Sequence, residues 1–167
     1  DYLKKQNIRK KVAVICAYDD HTGYAVSQAL KDGFVSLVMV GDKDKVKDYS
    51  VLQEYAEFVS YVDVKDSDEA ARVAVLMARN GEVDILMKGI INTDNLLRAI
   101  LNKEHGILPQ GRVMTHLALT KIPSYDKFLF FTDAAVIPCP SLDQRSAMIE
   151  YVVNICRNFK IETPRVA

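Results

Sequence analysis

The sequence predicts an α/β protein, a three-layer α/β/α sandwich around a mostly parallel, open sheet. Short apolar runs of strand length alternate along the chain with amphipathic stretches of helical period, the pattern of successive βαβ units. The composition fits a packed domain: 167 residues, 49% hydrophobic and 26% charged, enough to bury a core. No internal repeat or low-complexity stretch interrupts the rhythm, so residues 1–167 read as a single α/β domain.

The elements follow in order. Val12 to Ala17 is a buried strand, and His21-Thr22-Gly23 opens a helix that ends at Gly33. Val35 to Val40 is a second strand, stopped by Gly41-Asp42 and followed by a short charged helix. Phe58 to Val64 is a third. Asp66 and Glu69 have the spacing of a capping box and start a helix over Ala70 to Arg79, with Gly81 just beyond its end. Ile85 to Met87 is a fourth strand, and a helix runs from Asp94. Val113 to Leu119 and Phe128 to Phe131 are two further strands, separated by a polar loop with Pro123. Ser141 and Gln144 form a second capping-box pattern, leading a long helix that buries Met148, Tyr151, Val152 and Ile155. Arg165-Val166-Ala167 reads as the start of another strand, which suggests a fragment or a truncated gene product.

Bulk properties remove several function classes. Lysine plus arginine equals aspartate plus glutamate, 22 against 22, so no global field favours nucleic acid or a membrane surface. No apolar run approaches the roughly 20 residues of a spanning helix, and the polar, basic amino terminus lacks an apolar signal core. Cys16, Cys139 and Cys156 show no C-x-x-C spacing. They read as free thiols of a cytoplasmic protein, not as a disulfide framework or metal site. There is no G-x-G-x-x-G, P-loop, G-x-S-x-G or H-E-x-x-H.

Four strand ends carry candidate chemistry. The first is Tyr18-Asp19-Asp20-His21-Thr22, where Asp20 or Thr22 can simply cap the next helix. The second is Lys88-Gly89 through Thr93 to Arg98. It sets a lysine, a glycine backbone and a helix N-terminus at the C-terminal end of a strand, where anions bind in parallel sheets. Gly89 permits a tight turn or a close ligand approach, Thr93 can cap the helix or bind an anion, and Arg98 can fold back toward a ligand or stay solvated. The third is Thr115-His116, in which strand alternation turns one residue inward and the other outward. His116 is then either a buried histidine bonded to a backbone carbonyl or a general base. The fourth is Thr132-Asp133 followed by Ala134-Ala135, either a ligand edge with small side chains or an Asx-turn.

In sequence, the segments VAVICAYDD, LVMVGDKDKV, VDILMKGIINTDNLLRAIL, VMTHLAL, FTDAAVIPCPSLDQ and IETPRVA resemble the phosphate acetyltransferase and phosphate butyryltransferase family, closer to the butyryl branch. The resemblance runs from Lys11 to Ala167 and implies one lobe of a two-lobed acyltransferase. It further implies interconversion of acyl-CoA plus phosphate with acyl phosphate plus free CoA, through a tetrahedral centre. Coenzyme A would be a substrate, with no bound cofactor and no metal. The partners would be small molecules, with neither nucleic acid nor membrane, and the enzyme a homodimer. Lys88, Gly89, Thr93 and Arg98 would hold the anion. Thr115, matching a serine of the family's Ser-His pair, His116, Thr132 and Asp133 would line the substrate cleft. Ile137 departs from the family's asparagine and removes an amide from that edge. The family's base and its Ser-Arg pair belong to a second half, so the resemblance implies little or no turnover by this chain alone. Two other readings remain open at this level, a non-catalytic domain that binds acyl phosphate or CoA, and a dehydrogenase-like domain.

Overall fold

A computed structural model describes residues 8–46 and 50–167. Most of the basic amino-terminal segment, and part of the stretch expected as a short charged helix, lie outside them. The chain divides into two compact units, Asp1–Leu108 and Pro109–Ala167.

In the first unit the strongest apolar run forms the central strand, β1 (Lys10–Ile15). It pairs in parallel with β2 (Val35–Gly41) on one side and β4 (Ile85–Lys88) on the other, with Val12 opposite both Leu37 and Ile85. β3 (Val59–Asp63) adds to β2, giving the order β3-β2-β1-β4. The alternation of side chains along each strand builds two cores. Val12, Val14, Val35, Leu37 and Met39 face Val26 and Leu30 of α1 (Asp20–Lys31) and Leu52 of α2 (Ser50–Glu54). Ala13, Ile15, Val38 and Val40 face Ala70, Ala71, Ala74 and Val75 of α3 (Ser67–Arg79), together with Leu96 of α4 (Thr93–Ile100). The alanines let α3 approach the sheet closely. Leu30, wholly buried, gives about 1.5–3 kcal/mol of the burial energy. The three-layer arrangement expected from the alternation is present in this unit.

The second unit holds an antiparallel pair, β5 (Ala118–Lys121) and β6 (Phe128–Phe131), as a separate two-stranded sheet, and the helix α5 (Leu142–Asn158). Both halves of the Ser141–Gln144 capping box are formed. Met148 and Cys156 are the buried residues of α5, while Tyr151, Val152 and Ile155 are half-buried.

Several expectations need correction. The strand expected over 113–119 is confined to Ala118–Lys121, so Thr115 and His116 lie in irregular backbone before it. The reason is a partner distant in sequence: the Asp133 carboxylate takes the His116 N–H that a strand ladder would have used. Residues 164–167 form no strand. The cap of α1 is Asp19, not Asp20 or Thr22, and the cap of α4 is Asn92, not Thr93. Asp66 caps α3 as expected, but the Glu69 carboxylate turns to Arg72 instead of completing the box.

Candidate functional site

The strand order fixes where a ligand can enter the first unit. Chain connections leave β1 toward β2 and β3 on one side, and β4 lies on the other. The crevice outside the C-terminal ends of β1 and β4 is therefore a topological switch point, the preferred ligand position of open parallel sheets. β1 runs out there into Cys16, and β4 into Lys88-Gly89.

Gly89 is what closes the two strand ends together. Its N–H donates to the Ile15 carbonyl at 2.8 Å, and the next N–H, of Ile90, donates to Cys16 at 2.9 Å. A Cβ built on Gly89 would overlap the Cys16 carbonyl oxygen and lie 2.6 Å from that of Ile15. The close approach is thus made by the backbone of β1, and the Gly89 N–H is committed to it.

After the Gly89 turn the chain enters α4. The Asn92 side chain accepts from the Asp94 N–H at 3.0 Å and leaves Thr93 exposed at the first helical position. Lys88 is exposed, and its Nζ contacts the Gly89 carbonyl at 3.2 Å. Arg98, on the exposed side of α4, reaches the Asn95 side-chain oxygen at 3.4 Å. Both cations thus meet neutral oxygens. Some other cations are paired with carboxylates: Lys65 Nζ lies 2.6 Å from Asp42 and 2.7 Å from Asp44, Lys10 lies 2.9 Å from Asp84, and Arg72 bonds Glu69. Among the described residues, Lys88 and Arg98 make no ion pair.

Beside the same strand ends, Tyr18 closes the gap between β1 and β2. Its hydroxyl accepts the Asp42 N–H at 2.6 Å. Burial pushes the phenol up to about 12, outweighing the opposing bond from Asp42. Burial also raises the Cys16 thiol, which bonds Tyr18, so this cysteine is a packed core residue. The sequence did not single out Tyr18 as an organiser of the sheet edge, because its partner, the Asp42 N–H, is far away along the chain.

The second unit brings Thr115, His116, Thr132 and Asp133 together. One Asp133 oxygen accepts the Thr115 hydroxyl at 2.8 Å and the His116 N–H at 2.9 Å. The other accepts the N–H groups of Ala135 and Val136, each at 2.8 Å. The Thr115 and Thr132 hydroxyls are 2.8 Å apart. Burial would raise the Asp133 carboxyl, but the Val136, Ala135 and His116 N–H groups and the Thr115 hydroxyl outweigh it and hold it well below the usual range. The His116 Nδ1 is buried and has no partner among the described residues.

Lys88, Gly89, Thr93 and Arg98 belong to the first unit, and Thr115, His116, Thr132 and Asp133 to the second. Among the described residues, no group of three or more histidine, cysteine or acidic side chains is placed to hold a metal ion. No helix among them is long and apolar enough to cross a membrane.

The chain is 34% identical over 160 residues to a phosphate butyryltransferase of Clostridium beijerinckii, covering 95% of this chain and 52% of that protein. It is 34% identical over 168 residues to the phosphate butyryltransferase of Clostridium acetobutylicum, covering 98% and 54%. A phosphate acetyltransferase of Thermotoga maritima matches at 32% over 160 residues, covering 95% and 53%. The chain therefore spans about half the length of the curated relatives it matches. A crystal structure of a branched-chain phosphotransacylase from Enterococcus faecalis shares the fold, with a TM-score of 0.74 at 24% identity over 89% of this chain and 51% of that one. The model of the family described as phosphate acetyl/butaryl transferase matches residues 62–167, a span that holds all eight candidate residues from Lys88 to Asp133, and the chain belongs to that family.

Proposed function

We propose that this chain is one lobe of a phosphate acyltransferase of the butyryl type, an enzyme that interconverts acyl-CoA and phosphate with acyl phosphate and CoA. Family membership is the observation that carries the reading. The switch point between β1 and β4 supports it, because it carries two cations with neutral partners and the first turn of α4. In this reading Lys88, Arg98 and the exposed start of α4 at Thr93 hold the phosphate, and Gly89 keeps β4 and the loop after it in register with β1. Thr115, His116, Thr132 and Asp133 serve the acyl-CoA. The enzyme works as a homodimer on small soluble substrates in the cytoplasm, with CoA as substrate and no resident cofactor. No residue of the chain is assigned as the base, so CoA release from butyryl-CoA and phosphate is expected to be slow or absent with this chain alone.

Titration calorimetry of the chain with inorganic phosphate and with CoA tests the reading. Both are expected to bind, and Arg98→Ala should weaken phosphate about tenfold, equivalent to roughly 1.4 kcal/mol. Failure of the unaltered chain to bind either ligand would overturn the proposal. Unchanged phosphate affinity in Arg98→Ala would remove that residue from the site.

A further inference from the structure

The proton count at the threonine cluster goes beyond the family reading. An ionised carboxylate only accepts hydrogen bonds, so the single Thr115 hydroxyl proton must lie toward Asp133. Thr115 then has only lone pairs to offer Thr132, and the 2.8 Å contact between the two hydroxyls requires Thr132 to be the donor. Both hydroxyl protons are therefore spent inward, along a chain from Thr132 through Thr115 to Asp133. The polarity is locked, because three backbone N–H groups, of His116, Ala135 and Val136, hold the same carboxylate in place. What the half-buried threonines leave over is acceptor capacity: one lone pair on Thr115 and the lone pairs of Thr132. The neighbouring His116 Nδ1 is also buried, with no hydrogen-bond partner among the described residues.

A surface of this polarity is unsuited to the ionised oxygens of phosphate groups, which also accept. It fits a ligand that donates. We propose that Thr115 and Thr132 form an acceptor subsite, its polarity fixed by Asp133, that binds the amide N–H and thiol groups of the pantetheine arm of a CoA substrate and does not bind its phosphates. The assignment rests on the acyl-CoA reading above. Asp133 is a positioning residue, with all its contacts made inside the protein. Thr115 and Thr132 are the atoms that meet the ligand.

Pantetheine, which has the amides and the thiol but no phosphate, and inorganic phosphate are the two probes, titrated separately into the chain. Asp133→Asn replaces one carboxylate oxygen by an NH2 group that must face two of the present donors, and where it faces Thr115 and His116 it frees the Thr115 proton to turn outward. It should weaken pantetheine at least tenfold and leave phosphate within about twofold. The amide proton signals of whichever of His116, Ala135 and Val136 loses its acceptor should shift at the same time. Thr132→Val removes the outermost acceptor while leaving the Asp133 contacts whole, so it covers the case in which Asp133→Asn misfolds. It too should weaken pantetheine selectively. Unchanged pantetheine affinity in a folded Asp133→Asn or in Thr132→Val overturns the proposal, as does a loss that falls on phosphate instead. A chain that binds phosphate but no pantetheine overturns the subsite and leaves the anion site standing. Binding of neither probe overturns both.

Discussion

Replacing Gly89 by alanine gives a direct measure of how tightly the switch point is built. The added Cβ would meet backbone on every side, the carbonyl oxygens of Cys16 and Ile15 and, at 2.8 Å, the Cys16 carbonyl carbon. No flexible side chain can yield, so β4 must slide away from β1. That motion breaks the Gly89-to-Ile15 and Ile90-to-Cys16 bonds, worth about 1 kcal/mol each. Strain in the repacked strands adds about 1–3 kcal/mol, and the stiffer unfolded chain returns about 0.4–1 kcal/mol. The net loss is about 3 kcal/mol, or roughly 10 °C in melting temperature for a chain of this size. Gly81→Ala is the matched control: with φ of +74° and nothing within 4 Å, it carries conformational strain without a clash, about 1–2 kcal/mol. Thermal unfolding followed by circular dichroism compares the three proteins. If Gly89→Ala melted within about 2 °C of the unaltered chain, or Gly81→Ala lost more than Gly89→Ala, the packing argument would be refuted.

Tyr18 should form phenolate near pH 12 and not near the ordinary phenol value of 10.0, so a spectrophotometric titration of Tyr18→Phe should lose amplitude only at the late end. A phenol raised by folding contributes stability that is complete below its unfolded value and is lost as pH climbs toward the folded one, which places the loss between those two values. Early amplitude missing from Tyr18→Phe would contradict the burial. Salt separates the two probes as well. Raising it from about 50 mM to about 500 mM should weaken phosphate severalfold by screening Lys88 and Arg98, and move pantetheine less than about twofold. Equal sensitivity would mean that both probes share one charged site.

What the sequence made legible was the part governed by neighbours along the chain. The runs at β1 and β2 are apolar and β-branched because they are largely buried, and the ends of β1, β2 and β4 lie within a residue or two of those read from the sequence. The Ser141–Gln144 box lies within one turn and formed as its spacing required. The misplaced features depend on partners far apart in sequence. VMTHLAL has a strand's composition, but Asp133, many residues later, draws off the Thr115 hydroxyl and the His116 N–H. Gly89 reads from the sequence as a tight turn or a close ligand approach, but it is the backbone at the end of β1 that approaches, through the pairing of β4 with β1, which the sequence rhythm alone does not specify. At α4, Asn92 and Thr93 are both caps by type, and the stronger N-cap preference of Asn is the local signal that selects Asn92.

The candidate residues divide by hydrogen-bond polarity. Lys88 and Arg98 can only donate, while Thr115 and Thr132 retain only the capacity to accept. In a chain with 22 basic and 22 acidic residues, neither property is visible in the total. It arises from which charges are already spent. Lys65, Lys10 and Arg72 are neutralised by carboxylates, and the cations at the switch point are not. The Asp133 carboxylate is saturated by four donors and so offers an incoming phosphate no free acceptor, while its charge is bound up in stabilising the loop. The two groups belong to separate units, so each polarity is tested by its own probe, phosphate at Lys88 and Arg98 and pantetheine at Thr115 and Thr132.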